Sequence, residues 1–174
     1  VARLLDMNIE PYLLSSALMV VVAQRLARTV CPHCQTKYYP SGQALADADY
    51  QGVHGHAFRK GTGCQQCHNS GFKGRCGIYE VMEVTSDIRR MIHRAAPSHE
   101  LRAQLRHDGF LTLREEGVCV ALDNRSSLEE ILRVTHSESL DEGDIGNSST
   151  QVKSVGTGFG ARLSQQRQDT KEVA

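Results

Sequence analysis

Cys31-Pro32-His33-Cys34 and Cys64-Gln65-Gln66-Cys67 are the two stretches whose reading decides the fold. A two-residue spacer lets both thiolates of a pair point at one ion, and a second pair closes a tetrahedron around it. Four thiolates suit zinc, at about 2.3 Å per bond, and leave no coordination position open for substrate. The expected site is a structural Zn2+ held by Cys31, Cys34, Cys64 and Cys67. A thioredoxin-like redox pair would explain one Cys-x-x-Cys and leave the other without a role. Disulfides call for an oxidising compartment, whereas no signal peptide is visible and the cysteines are not spread as a framework. His33 and His68, inside and beside the pairs, are alternative ligands, although four cysteines already complete the set. Cys76 and Cys119 have no partner at metal spacing and read as reduced, partly buried thiols.

Between the pairs, residues 35–63 read as an insert. Pro40-Ser41-Gly42 is a turn, residues 43–50 fit a short helix, and a short strand fits residues 57–59. His54 and His56 stand in a glycine-containing loop, where solvation is a simpler fate than metal binding. After the second pair, Gly71, Gly74 and Gly77 punctuate a bend into Ile78-Tyr79-Glu80-Val81-Met82-Glu83-Val84, whose alternation predicts a strand.

Upstream, residues 11–28 read as one helix with Pro11 in its first turn. Leu13, Leu14, Ala17, Leu18, Met19, Val20, Val21, Val22, Ala23 and Leu26 cover most of its circumference, so the helix is expected to be buried. Its uninterrupted apolar run, residues 17–23, is too short to cross about 30 Å of hydrocarbon. On that helix Arg25 and Arg28 share a stripe with Leu14, Leu18 and Val21, and each guanidinium there needs a carboxylate, carbonyls or a phosphate. The plainer alternative is a helix end whose cations suit the macrodipole.

Downstream, four short helices are expected. Ser86 can cap the first, whose apolar face is Ile88, Met91, Ile92 and Ala95, with Pro97 ending it. The second runs over residues 98–108 and closes at Gly109. Thr112-Leu113-Arg114-Glu115 and Ser127-Leu128-Glu129-Glu130 are capping boxes opening the third and fourth. From Ser137 onward Gly, Ser, Gln, Asp and Thr dominate without a period, so residues 137–174 read as a disordered tail.

The whole chain has 174 residues, enough for one domain or two small ones. Its 20 basic and 20 acidic side chains cancel, which excludes a global basic field for nucleic acid or anionic lipid. It begins at Val1 inside a helical pattern and so reads as a piece of something longer. Gly-x-x-x-x-Gly-Lys-Ser/Thr and His-Glu-x-x-His are absent. Gly156-Thr157-Gly158-Phe159-Gly160 follows no strand and opens no apolar helix, so it is not read as a phosphate loop. From the residues alone the expectation is a mainly α module with a small zinc-bound β/loop insertion, its activity undetermined.

Several motifs then occur in a telling order. Arg3-Leu4-Leu5-Asp6-Met7, Glu10-Pro11-Tyr12-Leu13 and Ala23-Gln24-Arg25-Leu26-Ala27-Arg28 lead into the first cysteine pair. Gly71-Phe72-Lys73-Gly74-Arg75-Cys76-Gly77-Ile78-Tyr79-Glu80 follows the second, and Leu113-Arg114-Glu115-Glu116-Gly117 and Ser127-Leu128-Glu129-Glu130-Ile131-Leu132-Arg133-Val134-Thr135 close the pattern. In this order residues 1–136 resemble the C-terminal third of the hexameric traffic ATPases of bacterial type II secretion and type IV pilus assembly.

That resemblance implies a RecA-like α/β parent that couples ATP hydrolysis with Mg2+ to pseudopilus or pilus assembly, with the P-loop core missing here. It implies residues 1–30 as the last helices of the core, 31–85 as the tetracysteine subdomain with its following strand, and 86–136 as a helical bundle. Arg25 and Arg28 would lie near a nucleotide phosphate or a core carboxylate, and no residue of this chain is expected to be catalytic. The implied partners are a homo-hexamer and inner-membrane platform proteins. The implied location is cytoplasmic and peripheral to that membrane, with no transmembrane segment. Cys76 stands where these ATPases usually carry Thr, Asp123-Asn124-Arg125 replaces a glycine-containing turn, and the tail has no counterpart.

Two other readings use the same knuckles. Lys37, Arg59, Lys60, Lys73 and Arg75, interleaved with Tyr38, Tyr39, Phe58 and Phe72, suit a zinc-ribbon nucleic-acid module, although the neutral chain does not lead to expecting nucleic acid. A chaperone-type zinc finger would repeat Cys64-x-x-Cys67 with Gly71 and Gly74 in tandem, and one copy is present.

Overall fold

The apolar run near the start of the chain breaks where its β-branched residues begin. In the computed structural model, which describes residues 1–50, 52 and 55–136, two short helices come first, α1 (Ala2–Asp6) and α2 (Pro11–Ala17). Leu18 then leaves the helix with φ −76° and ψ 126°, and β1 (Val20–Val30) follows. The single helix expected over residues 11–28 is thus corrected. Val20, Val21 and Val22 in succession are stiff at χ1 and fit a pleated strand better than a helix turn. The expectation of burial falls with it, because Val20, Val22 and Leu26 are each about half exposed.

What makes the strand stable is a partner far along the chain. β4 (Phe72–Glu83) runs antiparallel to β1, from Val20 opposite Glu83 to Ala27 opposite Cys76, with an irregularity between Arg28 and Val30 before Val30 meets Phe72. This strand starts six residues before the expected Ile78 and passes through both glycines: Gly77 pairs with Leu26 in the ladder, and Gly74 lies at the irregularity. A second antiparallel pair, β2 (Gln35–Tyr38) with β3 (Phe58–Gly61), belongs to the insert, together with α3 (Gly42–Asp47), whose N-cap Ser41 accepts from the Ala44 N–H. The β structure is therefore not confined to the insertion. Its longest elements, of 11 and 12 residues, lie outside the loop between the cysteine pairs.

The four later helices form as expected: α4 (Ser86–His93), α5 (Ser98–His107), α6 (Leu113–Leu122) and α7 (Leu128–Thr135). Two ends differ. Thr85 rather than Ser86 caps α4, its Oγ1 accepting from the Ile88 N–H at 3.4 Å. That helix stops before Pro97, because Ala95 turns left-handed (φ 49°) and the Ala96 N–H reaches back to Met91 O, a Schellman end. Thr112 and Glu115 make the full capping box. Ser127 caps α7 through the Glu130 N–H, while the Glu130 carboxylate turns to Arg28 and Arg133.

Two apolar clusters result. Ala27, Cys76 and Ile78 of the long strands pack with Leu113, Val118, Ala121, Leu128 and Ile131, and Ala48 and Phe58 bring the insert into the same core. Gly117 is required there, since a Cβ on it would lie 2.5 Å from Ile131 Cγ2 and push α6 off α7. The other cluster joins Leu14, Val84, Ile88 and Ile92 with half-buried neighbours that include Leu4 and Leu5 of α1 and Leu101 and Leu105 of α5.

Candidate metal centre

Both Cys-x-x-Cys knuckles sit at strand ends, where the chain passes between the two sheets. β1 ends at Val30 and delivers Cys31; Cys34 hands the chain to β2. On the return, β3 ends at Gly61 and delivers Cys64, and β4 begins at Phe72 just after Cys67. The Cys31 N–H donates to Gly71 O at 2.9 Å and the Thr62 N–H to Cys34 O at 3.0 Å, so each knuckle is tied across to the other strand's end. Gly71 adopts φ 76°, and a Cβ on Gly61 would stand 2.0 Å from its carbonyl oxygen, so both positions exclude side chains. The second knuckle tightens into a 3-10 turn (Gln65–Cys67) followed by left-handed His68 and Asn69.

The four Sγ atoms all lie within 4.8 Å of one another, a set that can hold one metal ion. Cys31–Cys64, Cys34–Cys67 and Cys64–Cys67 are 3.9, 3.8 and 3.7 Å apart. Four sulfurs at about 2.3 Å from a central ion lie about 3.8 Å from each other, so the donor set fits a tetrahedral thiolate site. Burial pushes the Cys67 thiol up, but the Cys64 and Gly71 N–H groups, with the neighbouring thiols, more than reverse this and bring it to about 6. Cys34 moves the other way, to about 11, through burial and its sulfur neighbours. An N–H pointed at sulfur favours the thiolate, which is the metal-binding form.

His33 and His68 are exposed, and the sulfur cluster contains no histidine. His54 lies outside the described residues; His56 stands edge-on to Phe58 at 5.3 Å. Cys76 and Cys119 are buried free thiols, as expected, and burial followed by the charges of Glu116, Asp123 and Glu115 raises Cys119 to about 11. Residues 137–174, including Gly156 to Gly160, lie outside the described residues.

Arg25 and Arg28 do not share a helix stripe. They stand three apart on β1, opposite Ile78 and Arg75 respectively, and so occupy opposite faces of the sheet. Arg28 meets a carboxylate within its own chain: its Nε and Nη2 donate to Glu130 at 3.0 and 2.7 Å, and its backbone N–H donates at 3.1 Å. Arg133 adds two more donors at 2.8 and 2.7 Å. Burial alone would raise the Glu130 carboxyl, but these bonds from Arg133 and Arg28 hold it down to about 2. Sequence reasoning missed Glu130, whose place in a capping box gave no sign of a partner 102 residues earlier. It also missed the docking role of Tyr38, whose hydroxyl donates to Glu129 at 2.8 Å and accepts from the Leu128 N–H. With Val30 N–H on Arg125 O and Ser126 Oγ on Arg28 O, these contacts fasten the metal end to the start of α7.

Comparison with known proteins places this hairpin of long strands with its tetracysteine insert and following helices. The profile of Type II/IV secretion system proteins matches residues 1–133, and the chain belongs to that family. It is 40% identical over 137 residues to Type II secretion system protein E of Klebsiella pneumoniae, covering 78% of this chain and 27% of that protein. It is 36% identical over 138 residues to Type II secretion system protein E of Pseudomonas aeruginosa, covering 79% of this chain and 27% of that protein. Against the Type IV pilus assembly ATPase PilB of Thermus thermophilus, identity is 37% over 140 residues, 78% of this chain and 15% of the relative. The chain thus spans about a quarter or less of these relatives. No helix among the described residues is long and apolar enough to cross a membrane.

Proposed function

We propose that this chain supplies the C-terminal, zinc-stabilised part of an ATPase that powers type II protein secretion or type IV pilus assembly at the bacterial inner membrane. The family match over residues 1–133, in a chain whose four cysteines converge, carries the reading. Zinc, held by Cys31, Cys34, Cys64 and Cys67, supplies a closed cross-link between the ends of β1, β2, β3 and β4. The four thiolates hold the ion, and the N–H groups of Cys64 and Gly71 stabilise Cys67 in the charged form.

ATP and Mg2+ belong to a RecA-like core outside these residues, as do the hexamer and the platform proteins at the membrane. The sequence contains no Gly-x-x-x-x-Gly-Lys-Ser/Thr, so the chain alone is proposed to hydrolyse no ATP. Residues 1–30 join that core, 31–85 form the metal subdomain and 86–136 the helical end. For Arg28 the partner inside the chain is Glu130, so its proposed effect on a nucleotide site is indirect, through the position of β1. Arg25 retains the proposed place near the nucleotide or a core carboxylate.

A chimera tests the assignment. The aligned segment of the Klebsiella relative is replaced by residues 1–136, and secretion is measured in a strain lacking the native protein. Secretion that is restored, and then abolished by Cys64→Ser, is expected. A chimera that accumulates, binds zinc and hydrolyses ATP but secretes nothing would contradict the reading.

A further inference from the structure

Beside the metal end, Arg28, Lys60, Phe72, Glu129, Glu130 and Arg133 line a cleft of about 280 Å³. Its cations are held in place. Glu130, with 1% of its side chain exposed, takes two side-chain hydrogen bonds from each guanidinium and fixes Arg28 beside Arg133. A guanidinium has five N–H donors, so neither arginine is exhausted, and 45% and 60% of their side chains still reach solvent. The Arg28 guanidinium also lies over the Phe72 ring at 4.1 Å, and the Lys60 ammonium over the Tyr38 ring at 5.0 Å.

We propose that this cleft binds an acidic polypeptide segment, one carboxylate side chain of which enters between Arg28, Arg133 and Lys60. Charge selects the ligand. Three cations face two carboxylates, which leaves one positive charge, the complement of a single carboxylate. A doubly charged phosphate would overshoot and face Glu129 and Glu130. Geometry agrees, because planar guanidinium groups match a carboxylate through paired N–H bonds. Half-buried Phe72 offers an apolar wall to the methylene stem or to a neighbouring apolar side chain. The volume lies just under the usual 300–1,000 Å³ of small-molecule pockets, room for a side chain or two rather than a nucleotide. Since the chain carries no net charge, the attraction is local, and salt weakens it at exposed positions.

The probe is a rhodamine-labelled heptapeptide, Gly-Ser-Glu-Leu-Glu-Ser-Gly, titrated with the full chain at low ionic strength and read by fluorescence anisotropy. Saturable binding is expected, weakened by about fivefold or more when the two glutamates become glutamines or when Lys60→Glu is introduced. Lys37→Glu, on β2 outside the cleft, should leave binding unchanged. Lys60→Gln replaces the reversal if circular dichroism shows that Lys60→Glu does not fold. The proposal is overturned by absent saturation, by equal binding of the glutamine peptide, or by unchanged binding of the folded Lys60 variant. It is equally overturned if inorganic phosphate or a single-stranded oligonucleotide displaces the acidic peptide at matched charge concentration.

Discussion

The two ends of the long strand pair have the same backbone ladder and opposite surroundings. At the metal end, Ala27, Cys76 and Ile78 are buried against α6 and α7, and Arg28 is clamped to Glu130. At the far end Met19 is 75% exposed and Val22 and Val81 are each 53% exposed, although all three are apolar. Burial along this hairpin thus follows where the cysteine insert and the C-terminal helices dock, not hydrophobicity. Cross-strand hydrogen bonds hold both ends together. The metal end adds four converging cysteines and a Glu130 carboxylate buried between two arginines, whereas the far end rests only on the smaller cluster around Leu14, Val84, Ile88 and Ile92.

The largest break in that contrast should come from the metal. Zinc contributes about 10–16 kcal/mol in small zinc-finger peptides, far more than one buried side chain. Stripping it with a chelator, or replacing Cys64 by Ser, should abolish amide protection in β2, β3 and the knuckles while α4 retains protection. Hydrogen exchange resolved by peptide would show this. Equal loss in α4 would mean that the two ends are not separable.

Removing the Glu130 carboxylate comes next. Glu130→Ala leaves two guanidinium groups that reach solvent and takes the acceptor from the Arg28 backbone N–H, and should cost about 1–3 kcal/mol. Urea unfolding measures it; a change below about 1 kcal/mol would show that the triad is only a surface network.

Acid provides a finer version of the same test. The Glu130 carboxyl is lowered from 4.5 to about 2 in the fold, so the unfolded chain binds its proton more readily. Its stabilisation is complete above about 4.5 and disappears as pH falls through about 2. The stability difference between wild type and Glu130→Gln should therefore shrink over that interval. A difference independent of pH from 5 to about 2 would contradict the assignment.

The smallest effect belongs to the far end. Val22→Thr keeps a β-branched residue on an exposed strand face and should change stability by less than about 0.5 kcal/mol. Light scattering should meanwhile show less self-association, as apolar area is removed from the surface. A loss above about 1.5 kcal/mol would place Val22 in a packed core and erase the contrast.

What could be read in advance was local. The cysteine spacing identified the sulfur cluster because each pair is set by two intervening residues and a turn. The starts of α6 and α7 were legible because Thr112 with Glu115, and Ser127 with the Glu130 N–H, are contacts of three residues' separation. β1 is not legible in the sequence because residues 17–23 are apolar on every side, which suits a buried helix and a strand equally without the partner. That partner, β4, lies across the whole insert. The Arg28–Glu130 pair is hidden for the same reason: Arg28 is part of a strand-to-helix clamp, not of a helix stripe.

One structural zinc, held by four thiolates, is proposed to organise the metal end. Elemental analysis combined with X-ray absorption at the zinc edge on the folded chain tests it most directly. About one zinc per chain with four sulfur neighbours at about 2.3 Å is the expected result. A natively folded chain with well under one zinc, or with nitrogen or oxygen in place of any of the four sulfurs, would contradict it.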